Sequence, residues 1–520
     1  MQSDSGELTP VTSTALRLGI VPATPASPGT VSTISSHAGG VVWSLSPQGP
    51  GRSLVASANR DAVSVLDPFD GERRESGGWT VLTAPVTPQN AGALRRALPV
   101  LQPAPIGLAM SAGFGDRLGL ATPGHARALR AVGGGIVPVF AQQSIREMTR
   151  TGRSAQQVVD DATWGALEAG WTDGYGADAD HLKTTADATT CAAAGFTFFT
   201  IDPGEHVDNG ADAASDADLR AAWDALPWAR LEDAAADLLA RHAGTKVDVE
   251  GARITFDERT VVKAAVKYGR AIAHVAMMYR HLQSIMAGQP FDFEVSVDET
   301  ETPTSHAEHI FVVTELRRLG VVWQSLAPRF VGRFEKGVDY IGDAAAIRAD
   351  VAVHAAISRV FGPYKISLHS GSDKFSIYDA VATETRGLVH LKTAGTSYLE
   401  ALRAVAEVSP ALFRGIYAFS RERYGEDRAS YHVSAQVERT PAPDAVADPD
   451  LAGLLDDFDV RQVLHVTFGS VLTSRTPDGA LHFAPSILAL LRQHPEAYAA
   501  CLERHFVRHL RPFASVAAAR

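Results

Sequence analysis

Cysteine is nearly absent from this chain of 520 residues, which contains only Cys191 and Cys501. Two thiols so far apart match no metal-binding spacing and cannot build a disulfide framework. The sequence therefore excludes a disulfide-stabilised scaffold and predicts two inert thiols.

Positive charge is also in short supply, because 48 lysines and arginines face 59 aspartates and glutamates, giving a formal net charge of -11. Nucleic acids and anionic membranes need a basic surface, so neither is an expected partner. No window reaches the roughly 18 apolar residues that a membrane helix needs. The N-terminus also lacks a basic segment followed by an apolar stretch. We expect a soluble, cytoplasmic protein, and a homo-oligomer is compatible with the sequence.

The organisation of the chain changes twice along its length. Residues 1–100 are rich in Ser, Thr, Pro and Gly with short strand-like runs, which predicts a β-rich or α/β extension. Across 101–440, apolar strands alternate with helical segments, which is typical of a parallel sheet with helical crossovers. Residues 205–290 form a predicted helical insertion after the fourth strand, and 441–520 a helical tail.

Eight strand-and-helix units can be counted in the central region. Eight such units predict an α/β fold of the (β/α)₈ TIM-like barrel type, although open doubly wound sheets give similar strings. The eight candidate strands are IGLAMSAGFG, GIVPVFAQQS, YGADADHLKT, GFTFFTIDPG, FDFEVSVDET, VVWQSLAPRF, YKISLHSGSD and LVHLKTAGTS.

Polar and apolar residues alternate along these strands, and side chains two positions apart share one face. Strands buried for structure alone usually read as continuous aliphatic runs. Here the polar residues gather near the carboxyl ends, where barrel enzymes hold their chemistry. The aligned sets are Phe198, Thr200 and Asp202; Glu294, Ser296 and Asp298; Lys365, Ser367 and His369; and His390 and Lys392.

Histidines and carboxylates at these strand ends indicate a divalent metal. Imidazoles joined by a carboxylate or water suit Zn²⁺, Mn²⁺, Ni²⁺ or a similar ion. No HExxH motif is present, and the histidines would alternatively donate hydrogen bonds to substrate hydroxyls. The histidines are His181, His369 and His390, and the nearby carboxylates are Asp180, Asp202, Glu294 and Asp298.

Acid–base and anion-binding groups are also present. Asp180 and Glu294 lie on the third and fifth strands, so they would face a substrate from two sides as base and acid. Lys183, Arg329 and Lys336 are candidates for an anionic group. The loops HSGSDK and KTAGTS follow the seventh and eighth strands, where barrels often hold phosphate, and they would equally suit a carboxylate.

Several long motifs resemble the tagaturonate/fructuronate epimerase family, over about residues 79 to 475. They are SAGFGDRLGLATP, FAQQSIREM, ADADHLKT, FTFFTIDP, FEVSVDETETPTS, YKISLHSGSDKFSIY, HLKTAGTSYLEAL and DRASYHVSA. One departure is His306, which follows Thr304 and Ser305 where the family pattern leads us to expect proline.

The resemblance implies a metal-dependent epimerase of keto-hexuronates, with a small sugar acid as its substrate. It implies that Asp180 is the proton acceptor, that Glu294 is the proton donor, and that His181 and His369 bind the metal. Strand geometry favours His390 as the third ligand, with Asp298 as the alternative. The remaining polar residues are then predicted to bind the sugar acid: Lys183, Asp298, Arg329, Asp373, Lys374 and Lys392.

The chemistry of the predicted reaction can be argued from the substrate. In a 5-keto-hexonate the inverted carbon C3 is β to the ketone, so simple enolisation does not acidify its C–H bond. Retro-aldol cleavage of C3–C4, rotation of the aldehyde and bond re-formation would invert it. The alternatives are a metal-dependent aldolase or lyase that releases the fragments, an epimerase of neutral or phosphorylated ketoses such as tagatose and fructose, and a non-catalytic sugar-acid binding protein.

Overall fold

The fold was analysed in a computed structural model that describes residues 20–22, 33–36, 40–48, 51–369, 372–393 and 395–518. Much of the N-terminal stretch lies outside these ranges. So do residues 370–371 and 394, which belong to the predicted anion-binding loops after the seventh and eighth barrel strands.

An antiparallel sheet of six strands precedes the barrel, in the order β1-β2-β3-β4-β6-β5. Burial alternates along β3, with Val41, Trp43 and Leu45 turned into the core. This alternation buries one face of the sheet, as is common for antiparallel sheets. The strands are β1 Ile20–Pro22, β2 Thr33–Ser36, β3 Val41–Gln48, β4 Gly51–Ala58, β5 Glu72–Ser76 and β6 Trp79–Pro85.

Eight parallel strands then close into a barrel, which confirms the predicted (β/α)₈ fold. The last strand closes the ring by pairing with the first, with His390 beside Ser111 and Lys392 beside Gly113. The barrel strands are β7 Ser111–Gly115, β8 Val137–Ser144, β9 Gly176–Leu182, β10 Phe198–Ile201, β13 Asp292–Ser296, β14 Ser325–Ala327, β15 Lys365–Leu368 and β16 Val389–Lys392.

Helices cover the outside of the barrel and form the segment between its fourth and fifth strands. That segment also contains a hairpin of β11 Lys246–Val249 and β12 Ala252–Thr255. The helices up to the fifth barrel strand are α1 Pro88–Ala97, α2 Thr122–Val132, α3 Ile145–Thr151, α4 Ala155–Glu168, α5 Thr185–Ala194, α6 Asp216–Asp224, α7 Trp228–Leu231, α8 Ala235–His242 and α9 Glu258–Met286.

The second half of the chain supplies three crossover helices between barrel strands, and also the C-terminal helical region. Helices and strands are therefore present where the sequence predicts an extension, an insertion and a tail, while the domain boundaries stay predictions. These helices are α10 His306–Arg318, α11 Ala344–Val360, α12 Tyr378–Thr385, α13 Thr396–Val408, α14 Pro410–Asp427, α15 Phe458–Val466, α16 Phe468–Thr473, α17 Ala484–Gln493 and α18 Pro495–Ala518.

The last helix is part of the body of the fold. Gly124 on α2 meets Leu502 on α18 so closely that an added Cβ would lie 2.6 Å from the leucine Cβ. Any larger residue at this position would push the two helices apart. Both cysteines, Cys191 and Cys501, are free and buried. Within the described residues, no helix has the length and apolar character needed to span a membrane.

Candidate active site at the barrel mouth

Asp180 and His181 end strand β9 and are both turned toward the mouth of the barrel. Consecutive residues of a regular strand point to opposite faces. His181 breaks this rule because its φ is 54°, in the left-handed region. The pairing with β10 shifts by one residue at the same place, as in a β-bulge. The irregularity lets His181 Nδ1 lie 2.8 Å from the Oδ1 atom of Asp180.

Lys392 lies at the centre of the barrel and is surrounded by three carboxylates from two strands, β9 and β13. Its Nζ lies 2.7 Å from Asp180, 2.8 Å from Asp178 and 2.9 Å from Glu294. It also donates a 2.6 Å hydrogen bond to Thr200 Oγ1. Burial alone would lower the pKa of Lys392, but the three carboxylates raise it well above its usual value. Lys392 is therefore a buried counterion.

The carboxylates around Lys392 differ in their protonation behaviour. Burial, together with the charges of Asp180 and Glu294, raises the pKa of Asp178 to about 6 despite the opposing effect of Lys392. Burial acts in the same direction on Glu294, but Lys392 and His369 hold its pKa well below the usual value. His181 and Lys392 likewise hold the pKa of Asp180 well below its usual value. Asp180 and Glu294 are thus carboxylates in the resting site.

Above this layer, His181, Asp298 and His369 bring three ligand-type atoms within 4.8 Å of one another. Asp298 Oδ1 lies 3.2 Å from His369 Nδ1 and 3.7 Å from His181 Nε2. Burial would lower the pKa of His181, yet Asp180, Asp298 and Glu299 raise it well above the usual value. The excess of negative charge that holds a proton there would equally attract a cation.

The hydrogen bonds of His181 and His369 occupy one nitrogen of each ring and leave the other directed toward the proposed metal position. His181 Nδ1 bonds Asp180, while its Nε2 is buried and has no hydrogen-bond partner among the described residues. His369 Nε2 lies 2.6 Å from Glu294, which leaves Nδ1 directed at Asp298. A carboxylate behind each imidazole is the usual outer shell of a metal-bound histidine. The donor set of two imidazoles and a carboxylate therefore fits a divalent transition metal.

His390 lies away from this group. Its Nδ1 is 2.9 Å from Ser111 Oγ, which also accepts a hydrogen bond from Lys365 Nζ. His390 precedes Lys392 by two positions on the same strand, so its side chain lies on the same face but deeper in the barrel. Of the two alternatives for the third ligand, the geometry brings Asp298, and not His390, to His181 and His369.

Asp180 and Glu294 are brought together by one buried lysine. Both carboxylates contact the same Lys392 nitrogen. Glu294 is completely buried, and its other oxygen accepts a hydrogen bond from Ser325. Asp180 lines a cavity at the mouth. Both strands therefore direct their carboxylates at one central lysine, and the arrangement on two sides of a substrate stays a prediction.

Asp373 and Lys374 lie outside the mouth. Asp373 is buried against the C-terminal helices, 2.6 Å from Arg461 and 3.0 Å from His505. Lys374 Nζ donates hydrogen bonds to the backbone carbonyls of Glu335, Val338 and Ser372. Since an ammonium group has three donors, these carbonyls use all of them. The two residues hold the loop after β15 in position and do not face the cavity.

The other predicted substrate contacts are at the edge of the site. Lys183 is 43% exposed in its side chain and pairs with Glu205 at 3.0 Å and Asp202 at 3.7 Å. Arg329 follows β14, and its backbone N–H donates to Thr304 Oγ1 at 3.0 Å. Neither residue is among those that line the cavity beside Asp180.

Two basic residues that line this cavity are better placed than Lys183 and Arg329 to bind an anionic group of the substrate. Arg146, at the start of α3, lies 3.6 Å from Glu299, and Lys336 lines the same cavity with His181 and Tyr431. Arg146 was missed by the sequence analysis, although it stands inside the motif FAQQSIREM. Its position directly after a barrel strand was the available signal, because residues after barrel strands form the mouth.

Comparisons with known proteins bear on the family and the fold of this chain. The family model described as tagaturonate epimerase matches residues 38–513. The tagaturonate/fructuronate epimerase of Thermotoga maritima is 45% identical over 466 residues, covering 90% of this chain and 93% of that protein. Crystal structures of the fructuronate-tagaturonate epimerase of Cohnella laeviribosi, native and with glycerol, are 37% identical. They superpose with a TM-score of 0.84, covering 91% of this chain and 94% of that one.

Proposed function

This chain belongs to the tagaturonate epimerase family and is an isomerase, and from that premise we propose that it interconverts D-tagaturonate and D-fructuronate in a metal-dependent reaction. The observation that carries the proposal is the group of His181, Asp298 and His369 directly above Asp180 and Lys392. A sugar binding protein without catalysis would not need buried carboxylates of lowered pKa beside such a group.

We propose that the metal is held by His181 Nε2, His369 Nδ1 and Asp298 Oδ1. A bound divalent cation would supply Lewis-acid stabilisation of the negative charge that develops on the ketone oxygen, worth several kcal/mol. Asp180 and Glu294 fix the two imidazoles through their other nitrogens. The carboxylate of the hexuronate would pair with Arg146 and Lys336, which line the cavity beside Asp180.

Asp180 is the proposed proton acceptor because its carboxylate is ionised and reaches the cavity. It takes the proton of the C3 hydroxyl while the C3–C4 bond breaks. The electron pair stays with C4 as the enolate of the C5 ketone, and C3 becomes an aldehyde. Rotation of the aldehyde and attack on its other face re-form the bond with C3 inverted.

The proton that Asp180 has taken must return to the C3 oxygen when the bond re-forms, and we propose that Glu294 donates it. Because Glu294 is ionised at rest, Glu294 would first have to take up this proton. Glu294 lies behind Lys392, with Oε1 2.9 Å from Nζ. We propose that Lys392 passes protons between Glu294 and Asp180, since Nζ hydrogen-bonds Asp180 at 2.7 Å. The two carboxylates then act through one shared ammonium group.

The decisive experiment is an NMR time course of the purified protein with fructuronate, after chelation and again with added divalent metals. One epimer should form, and only with metal. Two smaller carbonyl compounds would identify an aldolase instead. Higher rates on neutral tagatose or on a ketose phosphate would overturn the choice of substrate.

The carbon chemistry is tested in D₂O. Retro-aldol inversion keeps the original hydrogen on C3, so the product should contain no deuterium there. Stable deuterium at C3, with no aldehyde captured by a trapping reagent, would contradict the cleavage step.

A further inference from the structure

A second group of metal-type side chains lies on the outside of the barrel, between α10 and α11. His306 is the first residue of α10, and Asp350 and His354 are one turn apart on α11. Residues four apart share one helix face. As a result, His306 Nε2, Asp350 Oδ1 and His354 Nε2 all lie within 4.8 Å of one another.

The distances within this group match those between the ligands of a tetrahedral ion. Asp350 Oδ1 is 3.1 Å from His306 Nε2 and 3.5 Å from His354 Nε2. Ligands about 2.0–2.2 Å from a tetrahedral zinc are separated from each other by roughly 3.4 Å. An ion could therefore be held with little movement of the three side chains.

His354 provides the second, independent sign of a ligand. Its side chain is fully buried, and Nε2 has no hydrogen-bond partner among the described residues. The 3.5 Å separation from Asp350 is too long for a good N–H···O hydrogen bond. A buried polar nitrogen without a partner is costly, so its lone pair calls for a hydrogen-bond donor or a metal ion.

A chain of hydrogen bonds behind His354 supports the tautomer that a metal needs. His354 Nδ1 is 2.8 Å from His309 Nδ1, and His309 Nε2 is 2.9 Å from the hydroxyl of Tyr364. When His354 Nδ1–H donates to His309, and His309 Nε2–H donates to Tyr364, the Nε2 lone pair of His354 faces Asp350. Such outer-shell bonds orient metal-bound histidines.

We propose that His306, Asp350 and His354 bind a second divalent transition-metal ion, best suited to Zn²⁺, with water in the remaining position. His306 is one-third exposed in its side chain, which gives the ion a route from solvent. The second oxygen of Asp350 accepts a hydrogen bond from Val331 N at 3.1 Å. The ion would therefore join the start of α10 and α11 to the loop after β14, apart from the barrel mouth.

The test compares metal content of the full-length chain after chelation, loading with Zn²⁺ and gel filtration. The wild type should retain one equivalent more than His306→Asn. His281→Asn is the matched control, because His281 is a partly buried histidine of α9 outside both groups, with Nε2 2.8 Å from Thr189 Oγ1. Equal zinc content in the wild type and His306→Asn would overturn the proposal.

A variant that lacks two of the proposed metal ligands at the barrel mouth distinguishes the two sites. In Asp298→Asn/His369→Asn, one equivalent of metal should remain, and adding His306→Asn should remove it. Bound Co²⁺ should give the visible absorption of a tetrahedral site in this double variant, and the absorption should be lost when His306→Asn is added. Retention of the ion after His306→Asn, or no ion in a double variant whose circular dichroism is native, would refute the site.

Discussion

Two fully buried lysines on adjacent barrel strands provide a matched test of the electrostatics. Lys392 on β16 contacts three carboxylates within 2.9 Å, whereas Lys365 on β15 donates hydrogen bonds to Ser111 Oγ and the Ala109 carbonyl and forms no ion pair with a described residue. Lys→Met keeps the length of the side chain and removes its charge. The two substitutions should therefore have very different effects on the free energy of unfolding.

Lys392→Met leaves three buried carboxylates without their cation. Removing one partner of a buried ion pair costs about 3–5 kcal/mol, and we expect a loss of at least this size at neutral pH. For Lys365, burial lowers the pKa to about 8. The charged form at pH 7 therefore costs the fold about 3 kcal/mol, which offsets two hydrogen bonds of about 1 kcal/mol each. We expect Lys365→Met to lie within about 2 kcal/mol of the wild type.

Urea unfolding followed by circular dichroism, with a chelator present in every sample, measures both differences. The chelator is needed because a bound ion would add its own contribution to stability. If Lys392→Met is no less stable than Lys365→Met, the reading of Lys392 as the central counterion is incorrect.

Three further predictions concern single groups. Asp180→Asn should abolish turnover of fructuronate while circular dichroism stays native; unchanged turnover would remove Asp180 from its role as base. Asp298→Asn should weaken divalent metal binding to the barrel mouth at least 10-fold in calorimetric titrations of chelated protein, a loss typical of a changed metal site; equal affinity would return His390 as the third ligand. Because the folded-state pKa of Lys365 is about 8 and the unfolded value is higher, the unfolded chain holds more protons above pH 8. Wild-type stability should therefore rise relative to Lys365→Met between about pH 8 and pH 10, and parallel pH curves would contradict the shifted pKa.

The fold and half of the site could be predicted because they depend on local patterns. Alternation along each strand was enough to find eight barrel strands and to place Glu294 and Lys392 on the inner face. Positions at strand ends also indicated His181 and His369. These features follow from a period of two and from the position of each strand in the chain.

The remainder depends on contacts that no local pattern encodes. The left-handed backbone conformation at His181 occurs in a residue other than glycine, so the sequence ADADH gives no indication of it. Lys392 was expected to bind substrate, but its partners come from strands more than 90 positions away in sequence. Asp373 is close to the site residue His369 in sequence, yet it accepts a hydrogen bond from Arg461, 88 residues later. In each case distant partners decide the role of the residue.

The attachment of Asp373 to α18 has a consequence for protein synthesis. Asp373, in the loop after β15, is held by His505 and His509, which follow it by more than 130 positions in the sequence. Domains begin to fold from the N-terminus while the ribosome is still adding residues. The barrel strands would therefore be made long before the helix that fastens the loop after β15, and we expect activity to appear only after α18 has been made. A chain that ends before Pro495 should keep barrel secondary structure without activity, and full activity of this truncated chain would show that the last helix is dispensable.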